Sequence, residues 1–493
     1  MKTSLHGQAM TDVEIDLHAI SRGTVTAPAG CGKTHLIAQT LKRHHGAKPI
    51  LILTHTNAGV AALRARLDKA GVSADAYRLS TIDGWAMRVS GMFPARSGLD
   101  PTVLKLANPK KDYPAIRTAA CRLFEEEHVN DLLAASYARL IVDEYQDCSV
   151  SQHDIVNYMA AALPICVLGD PVQAIFGFKG NPLADWDDVV CRHFPLIGEL
   201  QIPWRWRNAG TEAFGYWLLD ARRKLLAGEH IDLTTAPAEV NWIQLDGTED
   251  RRRQLRAART NAPGREGSVL IIGKSTSPPS QQEVASQTPG AVTIENVDFK
   301  DLIGFALDLD FQRPDALEKV VRFAASVMTS VGAANLLKRL PVLEKGAARK
   351  APSDAERAAL DFQAERSPRA AARLLTELGK QPGARPHRQA VLQACMKALH
   401  ACDGSDGNAF YEAAIRAREQ NRLFGRPLPR RAVGSTLLLK GLEAEVAVIL
   451  DADDHDTNNI YVAMTRGSRS LIICSRATSI VRPAAARRAL QLA

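Results

Sequence analysis

Ala27-Pro28-Ala29-Gly30-Cys31-Gly32-Lys33-Thr34 and, further along, Leu140-Ile141-Val142-Asp143-Glu144-Tyr145-Gln146-Asp147 are the two stretches that decide the fold. The first is a glycine-rich turn ending in Gly-Lys-Thr. Its glycines let consecutive backbone N–H groups face a polyphosphate, Lys33 supplies a point charge and Thr34 a hydroxyl for Mg²⁺. The run before it, from Ser21, reads as a strand, and the run from His35 to Arg43 reads as a helix whose N-terminus faces the phosphates. In the second stretch an apolar run ends in Asp143, which puts a carboxylate at a strand's C-terminal edge, where it can hold the metal. Glu144, the next residue, is placed to polarise an attacking water. A lone Gly-Lys-Thr turn or a lone Asp-Glu pair can be a plain loop; together they predict nucleotide hydrolysis.

Working outward, Pro49–Leu53 and Pro164–Leu168 are further apolar runs, each followed by a polar loop, the pattern of a parallel α/β sheet. Gly267–Ile272, Val446–Leu450 and Ser470–Cys474 repeat it and predict a second α/β domain. Between them the composition turns Ala-, Leu- and Arg-rich with helical spacing: Leu317, Val320, Val321, Ala324, Val327 and Met328 share one face. Ser353 with Glu356 predicts a capping box, and Ser367-Pro368 an N-cap followed by a first-turn proline.

The chain of 493 residues carries a formal charge of +8, with 46% hydrophobic and 24% charged residues. That length accommodates two to four domains, and the basic excess permits a polyanionic partner without requiring one. No apolar run is long enough to span a bilayer, and Met1–His6 lacks the apolar core of a signal peptide, so the expected location is the cytoplasm. The eight cysteines are scattered, without Cys-x-x-Cys pairs, and suggest neither a disulfide framework nor a zinc site. Cys31 reads as a small residue tolerated in the loop.

Five more segments follow in order. Ile50-Leu-Ile-Leu-Thr54-His55-Thr56-Asn57 is a strand and polar turn leading into a basic helix. Val167 to Gly180 contains Asp170, Gln173, Phe176, Phe178 and Lys179. Pro203-Trp204-Arg205-Trp206-Arg207-Asn208 interleaves guanidiniums with indoles. Lys440-Gly441-Leu442-Glu443 precedes one strand and Tyr461-Val-Ala-Met-Thr465-Arg466 another.

With these segments the chain resembles superfamily 1A helicases of the UvrD/Rep/PcrA type throughout, apart from two insertions. The resemblance implies two RecA-like P-loop domains, parallel sheets flanked by helices, each carrying a small, mostly helical insertion. The implied boundaries are 1–86 and 139–202 for the first domain with an insertion at 87–138, and 203–310 and 428–493 for the second with an insertion at 311–427. It implies an ATP- and Mg²⁺-dependent motor moving 3′ to 5′ on single-stranded DNA.

Residue by residue, the resemblance assigns Ala29, Gly30, Cys31, Gly32, Lys33 and Thr34 to the phosphates and Thr34 and Asp143 to the metal. Glu144 becomes the catalytic base, Gln173 the γ-phosphate sensor, and Arg207 and Arg466 the arginines that reach the γ-phosphate. Trp206 is expected to stack on adenine and Glu443 to lie near the ribose. His55, Thr56, Asn57, Trp85, Phe178 and Lys179 are expected at the DNA, where an aromatic face grips every base alike.

The chain departs from the family pattern at several places. No glutamine stands about 20 residues before Lys33, where the family reads adenine. The family's base-stacking Phe is His55, its Thr-x-His-Ser turn is Thr81-Ile-Asp83-Gly84-Trp85, and the histidine three residues before Lys440 is Leu437. Each change removes a contact, while the hydrolytic residues are all present. The short insertions also resemble the helicase-like subunit of Gabija-type anti-phage systems, implying an alternative: a DNA-stimulated ATPase that gates a nuclease partner of the OLD type and unwinds little by itself.

Overall fold

The computed structural model describes residues 15–177, 180–264, 266–402, 407–423 and 429–480. The chain forms two compact units, one comprising residues up to Val240 with His455–Arg469 and the segment from Thr478, the other Asn241–Asp454 with Ser470–Ala477.

The first unit is built on six strands: β1 (Arg22–Thr26), β2 (Ile50–Thr54), β3 (Tyr77–Thr81), β4 (Leu140–Val142), β5 (Ile165–Gly169) and β6 (Leu196–Glu199), arranged β3-β2-β4-β5-β1-β6. All the pairings are parallel. A parallel sheet must be covered on both faces, which is why its strands are continuously apolar rather than alternating. Side chains still alternate between faces. Ile50 and Ile52 pack on one side with Ile37, Leu41, Leu63 and Leu67; Leu51 and Leu53 pack on the other with Ile82, Ile155, Val156 and Phe124. The residues between β3 and β4 are mainly helical, including Ile82–Met92, Pro109–Glu125 and Asn130–Ser136.

A second six-stranded sheet, nearly all of it in the second unit, is ordered Val292–Thr293, Arg431–Gly434, Val269–Ile272, Ala444–Ile449, Gly467–Ser475, Val240–Gln244. The pairs joining its first four strands are parallel. Two parallel α/β sheets flanked by helices are consistent with two RecA-like domains. The helices from Lys300–Asp308 to Gly407–Leu423 enclose a separate core that includes Leu317, Val320, Phe362, Leu374 and Phe410. Ser353 accepts from the Glu356 amide while the Glu356 carboxylate accepts from the Ser353 amide, the reciprocal box that the spacing predicts. Ser367 caps the Pro368–Gly379 helix, with Pro368 in its first turn.

The sequence reading divides the domains at 202/203, whereas the first unit extends to Val240. The Glu212–Ala227 helix explains the difference: its Arg222 reaches Asp170 and Glu199 at the ends of β5 and β6.

Candidate nucleotide site

The loop after β1 is shaped by Gly30 and Gly32, with φ of 71° and 91°. That left-handed region strains any residue with a Cβ. Gly32 is the N-cap of the Lys33–Lys42 helix, and no side chain caps that end. Its first-turn N–H groups are therefore presented to an anion by backbone alone. The Ala27 amide donates to the Gly169 carbonyl at 2.8 Å, tying the loop to the end of β5.

Lys33 meets both acids. Its Nζ lies 2.7 Å from Asp143 Oδ1 and also pairs with Glu144 Oε1. Burial opposes the charged ammonium, but Asp143 and Glu144 outweigh it and hold the Lys33 pKa above the ordinary lysine value. Burial raises the Asp143 pKa, Lys33 partly offsetting it and Glu144 adding to it. Glu144 sits in left-handed backbone at φ 55°. Its second oxygen accepts from Gln146 Nε2 at 2.6 Å, and Gln146 Oε1 accepts from the Asp170 amide at 3.1 Å.

Asp170 is fully buried and extends this network. One of its oxygens accepts from Arg222 Nε at 2.9 Å and the other from Gln173 Nε2 at 2.9 Å. Lys33, Glu144, Gln146, Asp170 and Gln173 thus form one chain of contacts across the ends of β1, β4 and β5.

The hard oxygen donors of Thr34 and Asp143 suit Mg²⁺, and the glycine cradle suits a polyphosphate. Among the described residues there is no group of three or more His, Cys, Asp or Glu side chains able to hold a metal ion. Magnesium does not demand one, since it is usually bound through one or two carboxylates together with phosphate and water. Cys31 is buried, and burial together with Asp170 pushes its thiol up to about 12, so it is an inert packing residue at neutral pH.

The Trp204–Asn208 string differs from expectation. Trp206 is 1% exposed, its Nε1 donates to the Gly467 carbonyl at 2.9 Å, and its ring lies under the phosphate loop. Its ring also meets Phe214 edge-on. A ring so enclosed is core, and this corrects its expected place as an open stacking face for adenine. Trp204 is the more exposed indole, and Arg207 lies over it while pairing with Glu212 at 3.3 Å. Arg205, which sequence reasoning passed over, touches the loop directly: its amide donates to the Gly30 carbonyl at 3.0 Å and its guanidinium to the Thr465 carbonyl at 2.6 Å. Arg466 is buried next to it, bonded to the Val462 carbonyl and the Thr465 hydroxyl.

Of the residues expected at DNA, Thr56 caps the Asn57–Lys69 helix by accepting from the Gly59 amide, Asn57 is exposed in its first turn, and the half-buried His55 ring lies 5.3 Å from that of Phe176. Trp85 is corrected: it is 4% exposed and stacks on Phe124 in the core of the helical face. Its neighbour Asp83 holds Arg117 through two bonds of 2.7 Å. Phe178 and Lys179 lie outside the described residues. Glu443 is exposed, one residue before the Ala444–Ile449 strand of the second unit.

The likenesses of this chain to known proteins are partial or distant. The UvrD/REP helicase N-terminal domain matches residues 102–185, the segment holding Asp143, Glu144 and Gln173. The RecBCD enzyme subunit RecB of Buchnera aphidicola subsp. Schizaphis graminum (strain Sg) is 26% identical over 87 residues, 17% of this chain and 7% of RecB. A solved complex of arterivirus nonstructural protein 10 (helicase) with DNA aligns over 93% of this chain and 64% of that chain, with 10% identity and a TM-score of 0.34. In both cases the matched region is less than two thirds of the relative's length. Among the described residues no helix is long and apolar enough to cross a membrane. Residues 102–185 are therefore similar to the UvrD/REP helicase N-terminal domain.

Proposed function

We propose that this chain is an ATP-driven translocase on single-stranded DNA with 3′ to 5′ polarity, acting in the cytoplasm. A UvrD/REP helicase domain implies ATPase and helicase activity. The observation that supports the ATP-hydrolysing part of this reading is the contact of Lys33 with both Asp143 and Glu144, continued through Gln146 and Asp170 to Gln173.

In this reading the residues from Ala29 to Thr34 bind the ATP phosphates and Thr34 with Asp143 holds Mg²⁺, which neutralises phosphate charge when bound. Glu144 orients and deprotonates the attacking water. Gln173, Arg207 and Arg466 stabilise charge that develops during phosphoryl transfer, with Arg205 beside them at the loop. Glu443 serves the ribose side. His55, Thr56, Asn57, Phe178 and Lys179 contact the strand. The segment boundaries given above, with insertions at 87–138 and 311–427, belong to the same proposal.

A second reading has support of its own. Asp83 is engaged with Arg117 and Trp85 is in the core, so two positions where the family meets DNA are committed elsewhere. An ATPase that senses DNA and gates a partner, such as an OLD-type nuclease in anti-phage defence, requires less grip on the strand. One experiment separates the two: ATP hydrolysis with and without single-stranded DNA, beside strand displacement on 3′-tailed and 5′-tailed duplexes. Stimulation with displacement from the 3′ tail alone supports the translocase. Stimulation without displacement supports the gating ATPase, and the absence of hydrolysis refutes both.

A further inference from the structure

The Thr457–Met464 helix makes two side-chain contacts that none of the assigned roles explains. Asn458, in its first turn, donates from Nδ2 to the Ala174 carbonyl at 2.8 Å and to the Pro171 carbonyl at 3.3 Å. Those two carbonyls bracket the Pro171–Gln173 turn, so one amide group grips the backbone on both sides of Gln173. Just past the helix, the Thr465 carbonyl accepts from the guanidinium of Arg205, whose amide donates to the Gly30 carbonyl of the phosphate loop. Two residues beyond the helix stands Arg466, bonded back to the Val462 carbonyl. One short element therefore touches the Gln173 turn, is linked through Arg205 to the phosphate loop and leads directly into Arg466.

We propose that Asn458 is a positioning residue that sets Gln173 in register with the phosphate loop and Arg466. The inference rests on the functional reading above, in which Gln173 and Arg466 act on the same phosphoryl group. Gln173 is held by its side chain through Asp170, and the backbone on either side of it, at Pro171 and Ala174, is held by Asn458. The second tether is the one that fixes the turn to the arginine's helix. Two polar groups that must converge on one transition state lose rate steeply when their spacing drifts, even if each alone remains intact.

The position lends itself to a clean test because the helix does not depend on Asn458. Asp456 is the N-cap, accepting from the Asn459 amide at 2.9 Å. Alanine at 458 is a better helix former, and aspartate in a first turn is favoured by the helix dipole. Asn458→Asp, however, replaces the donor with a carboxylate facing two carbonyl oxygens, and Asn458→Ala removes the donor. Asn458 is only partly buried, so neither change opens a cavity.

Steady-state ATP hydrolysis should be measured for the full chain, for Asn458→Ala and Asn458→Asp, for Gln173→Ala, for the two double variants and for Lys33→Ala. Both changes at 458 should lower kcat about 5- to 20-fold, as expected for losing a pair of hydrogen bonds. The KM for ATP should stay within about twofold and the thermal midpoint within a few degrees. In the Gln173→Ala background the same changes should alter kcat less than about twofold, because the group they position is gone. An equal loss of kcat in both backgrounds, or a loss confined to KM or to thermal stability, overturns the proposal while leaving the reading of the site intact. Parent-rate hydrolysis by Lys33→Ala overturns that reading and this inference with it.

Discussion

Gly30→Ala offers the sharpest test of how the phosphate loop is built. At φ 71° an alanine pays the left-handed strain of about 1–2 kcal/mol. Its Cβ would also lie 2.5 Å from Trp206 Cζ3 and 3.0 Å from Arg205 Cβ. Neither neighbour can yield easily, since Trp206 is buried with its indole N–H on the Gly467 carbonyl and Arg205 is bonded through its own backbone to Gly30. Overpacking of this kind costs about 1–3 kcal/mol, so the total destabilisation should be about 2–5 kcal/mol. Gly210 supplies the control: its φ is 77°, but a Cβ there meets nothing within 4 Å. Gly210→Ala should cost the strain alone, about 1–2 kcal/mol. Denaturant unfolding of the two variants, with nucleotide binding measured alongside, isolates the Trp206 contact as their difference. Equal destabilisation by both substitutions would refute the account of Trp206 as a rigid floor beneath the loop.

Other expectations follow from the same contacts. Lys33→Ala should abolish detectable nucleotide binding, whereas Glu144→Gln should retain binding and reduce turnover by at least about 100-fold; a fluorescent ATP analogue and phosphate release read the two. Arg205→Ala should weaken ATP binding and turnover more than Arg207→Ala, since the Arg205 guanidinium holds the Thr465 carbonyl beside Arg466 while that of Arg207 pairs with Glu212; the reverse order in a steady-state assay would overturn this ranking. Arg466→Ala should lower kcat more than affinity, and equal losses in both would mark a ground-state contact. His153, held between the Tyr145 hydroxyl and His193, has its pKa depressed to about 4 by burial, His193 and Arg22. The unfolded chain takes up this proton near pH 6.5, so the stabilisation is complete above that value and is lost as pH falls toward 4, at most about 3 kcal/mol. Replacing His153 with Gln should flatten the stability profile between pH 6.5 and 4.

The sheet strands were legible because both faces of a parallel sheet demand apolar residues, and runs such as Ile50–Leu53 and Val269–Ile272 have few other uses. Lys33, Asp143 and Glu144 were legible because each sits within a contiguous motif whose local geometry suffices to place it. The tryptophans were not. A string alternating Trp and Arg reads alike whether its rings face a base or pack on a guanidinium, and only the enclosure of Trp206 by Phe214 and the loop decides the matter. Arg222 and Asn458 were equally invisible: each acts on a partner far away in sequence, and nothing in their own neighbourhoods announces it.

The Thr457–Met464 helix also has a consequence for how the protein is made. It belongs to the first unit although all of Asn241–Asp454, most of the second unit, precedes it in the chain. On a ribosome the residues up to Val240 therefore emerge roughly 10–40 s before the helix that braces their phosphate loop. During that interval Arg205, bonded to the loop, lacks the Thr465 carbonyl, and the pocket for Trp206 lacks the carbonyl of Gly467. Closure of the unit is a long-range event, slow by topology, so a nascent chain holding only its first half should present an unfinished surface to chaperones and proteases, and acquire resistance only when its last segments arrive.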